Sequence, residues 1–168
     1  ELPQINCEGK WNLTLPDTIG GFSAVGYFFG KELFDELNVP IGLIHSSWGG
    51  TSIEAWSPMS SLEKFPSVVK NKEQRLKQAL TFDEEENNKK NIAAEEDWKI
   101  KSQEAKEKGL RPPRRTRWWQ HHPVKSQHFP SSLFNAMINP VVPYTIRGAI
   151  WYQGENNAKS IESALLYR

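Results

Sequence analysis

The sequence predicts an α/β fold with parallel strands and a charged helical insertion. Two observations predict the strands. An amphipathic helical pattern twice leads into a short, almost continuous apolar segment, and each of those segments ends in a glycine-containing loop. A third predicts the insertion: a stretch dominated by Lys, Glu, Gln and Asn, with few apolar residues, lies between the two arrangements.

In chain order, Val25, Phe28, Phe29, Leu33 and Leu37 recur at helical spacing over Phe22 to Leu37. Ser23 is placed to cap the start, and Asn38-Val39-Pro40 ends the run. Ile41-Gly42-Leu43-Ile44 then has the pattern of a strand buried on both faces, and Ser46-Ser47-Trp48-Gly49-Gly50-Thr51 follows as a loop. The insertion covers about residues 66–109. Thr81-Phe82-Asp83-Glu84 has capping-box spacing, which predicts two helices with a break near Thr81. Val69, Leu76, Leu80, Ile92 and Trp98 give it only a thin apolar stripe, the pattern of a hairpin resting on a main domain. Gly109 and Arg111-Pro112-Pro113-Arg114 close it, and an irregular stretch runs to Pro130. Ser131 is placed to cap a helix over 132–138, Pro140 and Pro143 interrupt it, and Gly148-Ala149-Ile150-Trp151-Tyr152 reads as a second buried strand. Gln153-Gly154-Glu155-Asn156-Asn157 is its loop, and a last helix begins near Lys159.

The chain's 168 residues suffice for one domain core. Lys and Arg total 21 against 20 Asp and Glu, so the net charge of +1 gives no global attraction for nucleic acid or an anionic membrane. The single Cys7 excludes an intramolecular disulfide framework and any cysteine-rich zinc site. No apolar run approaches the roughly 20 residues of a membrane helix, and the residues from Glu1 onward lack the basic and apolar regions of a signal peptide. A soluble chain without membrane partner is the expectation. Several of the seven Trp sit beside Gly or Arg, which suggests a ligand surface.

Loops beyond the carboxyl ends of parallel strands are where such folds bind ligands. Gly49 and Gly50 can present bare backbone N–H groups, and Gln153, Asn156 and Asn157 carry amide donors of the kind that line an oxyanion hole. That combination favours acyl transfer. The alternative is that the glycines only turn the chain and the polar residues cap helices.

These blocks carry a resemblance. Phe22-Ser23-Ala24-Val25-Gly26-Tyr27-Phe28-Phe29-Gly30, Pro40-Ile41-Gly42-Leu43-Ile44, Ser47-Trp48-Gly49-Gly50-Thr51 and Glu54-Ala55-Trp56 are similar to blocks of the sialate O-acetylesterase family. So are 130–138 and 150–158, in the same order. The resemblance implies a three-layer α/β/α sandwich of the SGNH-hydrolase type, one partial esterase domain over residues 1–168. It implies hydrolysis of O-acetyl esters on sialic acid or a related acetylated sugar, by a serine held with a histidine and an aspartate, with no cofactor. The family's Gly-Gln-Ser-Asn and Asp-x-x-His blocks are not in this sequence. The chain therefore carries the loops rather than the triad, and is expected to be inactive alone. Gly49, Gly50, Gln153 and Asn157 match the family's donor loops, with the amide that faces the oxyanion left open. Trp48, Thr51 and Glu155 are the substrate-binding candidates beside them. Export to periplasm, lysosome or the outside of the cell is a further implication.

Other readings compete. Ser47 lacks the glycine two residues upstream that a nucleophile elbow uses, since His45 stands there, and His45 is a poor base without a third group to orient its ring. Arg111, Arg114, Arg115 and Arg117 with Trp118 and Trp119 form a basic aromatic cluster, and no acidic residue occurs between Glu107 and Glu155. The cluster suits a sugar carboxylate, with Arg114 and Arg115 nearest in reach, or single-stranded nucleic acid, or it is a solvated loop. No nucleic-acid partner is expected. His121, His122 and His128 lack nearby carboxylate or thiolate companions, so no metal is expected. The insertion offers a second class of function, a non-catalytic carbohydrate- or partner-binding module, although its thin stripe argues against a strong interface. A glycan on the Asn12-Leu13-Thr14 sequon requires a secretory eukaryotic host.

Overall fold

The structure, a computed structural model, describes residues 2–114 and 122–165. Its elements are α1 (Pro16–Ile19), α2 (Ala24–Leu37), a 3-10 turn (Ile53–Trp56), α3 (Met59–Leu62), α4 (Pro66–Ala79) and α5 (Glu84–Glu107). A π-helical turn (Phe134–Ile138), a 3-10 turn (Asn139–Val141) and α6 (Ile161–Ala164) complete the order. The chain divides into two compact units, one of residues 1–62 and 130–168, the other of residues 63–129. No helix among the described residues is long and apolar enough to cross a membrane.

The expected parallel sheet is absent. Among the described residues there is no β-strand, so the parallel-stranded α/β/α sandwich is not the architecture of this chain. Ile41–Ile44 and Gly148–Tyr152 are irregular segments, with Ile44, Ile150 and Trp151 exposed and Tyr152 88% exposed. The physical reason is that an apolar run records only a preference for burial. A strand also needs a neighbour that supplies N–H and C=O partners at alternate residues, and these two segments do not pair.

In the first unit α2 obeys its local signals. The Ser23 hydroxyl accepts from the Gly26 N–H at 3.1 Å, and Asn38 closes the helix in the left-handed region at φ 51°, its N–H donating to the Phe34 carbonyl. Gly30 is the buried point of this helix, because the Leu43 side chain lies where a Cβ would stand, 2.6 Å from Cδ1. Phe28, Phe29, Phe34 and Leu37 stay exposed.

The core of this unit is small: Ala55, Trp56 and Leu133 are buried, with Ile53, Met137 and Ile138 packed against them. The Trp56 and Trp151 rings meet edge to face at 6.1 Å. Ser131 does not cap a helix as its sequence position suggests. Its backbone takes φ 63°, its N–H donates to the Glu54 carbonyl at 2.8 Å, and its hydroxyl points at the Met59 sulfur. The chain then enters a widened π turn, in which the Asn139 N–H reaches the Phe134 carbonyl.

In the second unit the break between α4 and α5 falls at residues 80–83, and its cap is Asp83, not Thr81. The Asp83 carboxylate accepts from the Glu86 N–H at 2.9 Å, and Glu84, Glu85 and Glu86 complement the helix dipole. Pairs Glu85–Lys89, Glu86–Lys90 and Asp97–Lys101 line α5 on exposed faces, where such pairs contribute little. Residues on both sides of the undescribed stretch contact these helices. The Trp98 indole N–H donates to the Pro113 carbonyl at 2.9 Å, Arg75 donates to the His128 carbonyl at 2.6 Å, and His122 packs on Phe82.

Lys125 Nζ lies 2.7 Å from the Glu84 carboxylate, and this hydrogen bond and charge hold the Glu84 carboxyl below the ordinary carboxylate range. A depressed folded value means the pair's contribution is present above the unfolded value and is lost as pH falls through the folded one. Lys125→Met should return Glu84 toward the ordinary range in an NMR carboxyl titration, and high salt should shrink the difference between the two proteins. An unchanged Glu84 titration in the variant would show that Lys125 is not the cause.

Candidate functional site

Thr51 organises the first loop. It is buried, its hydroxyl donates to the Trp48 carbonyl at 2.7 Å, and the same oxygen accepts from the Trp56 indole N–H at 2.8 Å. One hydroxyl thus ties the loop to the core. Gly50 between them sits at φ 73°, where a Cβ would be strained, and the space around Gly49 and Gly50 is open. Trp48 is 52% exposed beside them.

The second loop is held to the first by Asn157, which is only 1% exposed. Its Oδ1 accepts from the Ile53 N–H at 2.8 Å and from Gln153 Nε2 at 3.3 Å. Its Nδ2 donates to the Glu54 carboxylate at 3.0 Å and to the Ser163 hydroxyl at 3.1 Å. Both donors and both acceptor positions of this amide are therefore occupied. Gln153 Nε2 also donates to the Thr51 carbonyl at 3.0 Å, while its buried Oε1 has no partner among the described residues.

This geometry separates the roles that the sequence left merged. Gln153 and Asn157 spend their donors within the protein and form a brace between the two loops. Gly49 and Gly50 are exposed, and nothing lies within 4 Å of where a Cβ would stand on either. Glu155 lies at the rim of the second loop. Main-chain hydrogen bonding, and then the Tyr152 hydroxyl, hold its carboxyl below the ordinary range, and the same contact pushes the Tyr152 hydroxyl up.

Thr51, Gln153 and Asn157 are thus brought together, with Trp48 linked to them through Thr51. Glu54, which sequence reasoning used only as part of a similar block, is the carboxylate that orients Asn157. It follows Ile53, whose N–H donates to the same amide, and no local signal marks either contact. Arg114 belongs to the second unit, and Arg115, Arg117, Trp118, Trp119 and His121 lie outside the described residues. His122 accepts the Val124 and Lys125 N–H groups at Nδ1, and the described residues contain no cluster of three or more metal-ligating side chains.

His45 and Ser47, weighed and set aside as a base and nucleophile, also meet. The Ser47 hydroxyl lies 2.6 Å from His45 Nε2, and the Phe22 ring lies tilted against the imidazole at 5.2 Å.

Comparison with known proteins adds a chemical context. The chain is 40% identical over 140 residues to the sialate O-acetylesterase of Rattus norvegicus, covering 81% of this chain and 22% of that protein. It is 36% identical over 136 residues to that of Mus musculus, covering 81% and 21%. It is 34% identical over 153 residues to that of Homo sapiens, covering 88% and 20%. The chain therefore spans about a fifth of the length of these curated relatives. No protein-family model and no solved structure matches it.

Proposed function

The chain belongs to the sialate O-acetylesterase family, and on that premise we propose that it supplies the donor loop and part of the substrate surface for hydrolysing O-acetyl esters on sialic acid or a related acetylated sugar. The observation that carries the reading is the buried amide brace, which holds Thr51 and Ile53 just after the exposed Gly49-Gly50 turn, with open space where a Cβ would stand on either glycine. Attack on an acetyl ester places negative charge on the carbonyl oxygen, and N–H groups that are already oriented stabilise that charge without reorganising. In this reading Gly50, with Gly49, provides those N–H groups. Gln153, Asn157 and Glu54 hold the turn, Trp48 offers a face for the sugar ring, and Glu155 accepts from a sugar hydroxyl.

The test is acetate release from O-acetylated sialic acid by a polypeptide of the relatives' length that contains this segment. Turnover is expected. Gly50→Ala should lower kcat by roughly tenfold or more, because a side chain at positive φ costs about 1–3 kcal/mol and the turn must shift to relieve it. KM should move little. Turnover indifferent to Gly50 would leave the turn as a connector only.

A further inference from the structure

We propose that Ser47 is an acylatable nucleophile with His45 as its base, a site that takes an acetyl group from small activated esters. The 2.6 Å separation of Ser47 Oγ and His45 Nε2 is within the reach that a nucleophile and its general base need. Both side chains are exposed, so an ester can approach the oxygen. Two further contacts hold the pair. The Phe22 ring packs against the imidazole, and Ser46, between the two residues, is half-buried with its hydroxyl donating to the Met137 carbonyl at 3.2 Å. That anchor sends Ser46 inward while His45 and Ser47 stay outside.

With the imidazole neutral and protonated at Nδ1, the Ser47 hydroxyl donates to Nε2. Oγ attacks the carbonyl carbon of the ester and its proton passes to His45 Nε2. The bond from carbonyl carbon to the alcohol oxygen then breaks, and the alcohol leaves with that proton. The acetyl group remains on Ser47 until water, deprotonated by the same imidazole, releases it as acetate. No oxidant, metal or second substrate enters the balance. Among the described residues no carboxylate is hydrogen-bonded to the imidazole, and the acyl form is expected to accumulate rather than turn over quickly.

The experiment uses the 168-residue chain with 4-nitrophenyl acetate, followed by peptide mass spectrometry. Acetyl on Ser47 is expected to form well ahead of acetyl on exposed Ser60. It should be abolished in Ser47→Ala, slowed roughly hundredfold in His45→Gln as for loss of a general base, and unaffected in Ser60→Ala. Ser47→Cys gives a second measure, since its alkylation by iodoacetamide should be faster with His45 than with Gln at that position. Labelling of Ser47 no faster than Ser60, or equal labelling and alkylation with and without His45, would overturn the proposal. Because the readout is the mass of one peptide, a negative result leaves the acetylesterase reading standing, and that reading fails separately on acetate release.

Discussion

Trp56→Ala is expected to destabilise the first unit by about 3–5 kcal/mol, the usual cost of truncating a buried aromatic side chain. Trp56 is 8% exposed and belongs, among the described residues, to a cluster with buried Ala55 and Leu133, so little surrounding material can close the space. The loss is more than packing. The indole N–H is the donor that Thr51 Oγ1 accepts, so the substitution also frees the hydroxyl that holds the Trp48 carbonyl. Urea unfolding monitored by fluorescence would show a lower midpoint. Trp48→Ala, at the exposed position on the same loop, should change stability by no more than about 0.5 kcal/mol. A loss below about 1 kcal/mol for Trp56→Ala would mean that this cluster is not what holds the unit together.

Asn157→Asp is the second large effect, and its sign depends on pH. The substitution puts a carboxylate where the Asn157 amide now stands, 3.0 Å from the Glu54 carboxylate. Two like charges at that range cannot both ionise, so the pair holds a proton above the ordinary carboxylate range in the folded state. The folded state then binds more protons than the unfolded one, and stability falls as pH rises. The variant should therefore be strongly destabilised at neutral pH and recover on acidification. Asn157→Ala should lose about 1–3 kcal/mol for each group left unsatisfied, chiefly the Ile53 N–H, with little pH dependence of its own. Unfolding curves at pH 4 and pH 7 separate the two. Equal losses for Asn157→Asp at both values would show that Glu54 does not face this side chain.

What could be read from the sequence was local. The limits of α2 come from Ser23, Asn38 and Pro40, and the gap between α4 and α5 lies within two residues of the expected break. Capping and periodicity act between residues no more than about four apart, so each signal is complete within its own segment. The family resemblance was legible for the same reason, since it rests on contiguous blocks around Gly49-Gly50 and Gln153–Asn157.

Long-range partners decided the remainder. Ile41–Ile44 and Gly148–Tyr152 have the composition of buried strands, but a strand exists through its ladder, and the fold provides these segments with none. Gln153 and Asn157 looked like free donors. Their amides are spent on Thr51, Glu54 and Ser163, and Glu54 lies 103 residues before Asn157. An amide has the same hydrogen-bonding capacity in either setting, so its residue type could not say whether it faces a substrate or fills a brace. His45 and Ser47 stand two residues apart, and only the structure shows that their side chains meet, with Ser46 between them donating to the Met137 carbonyl.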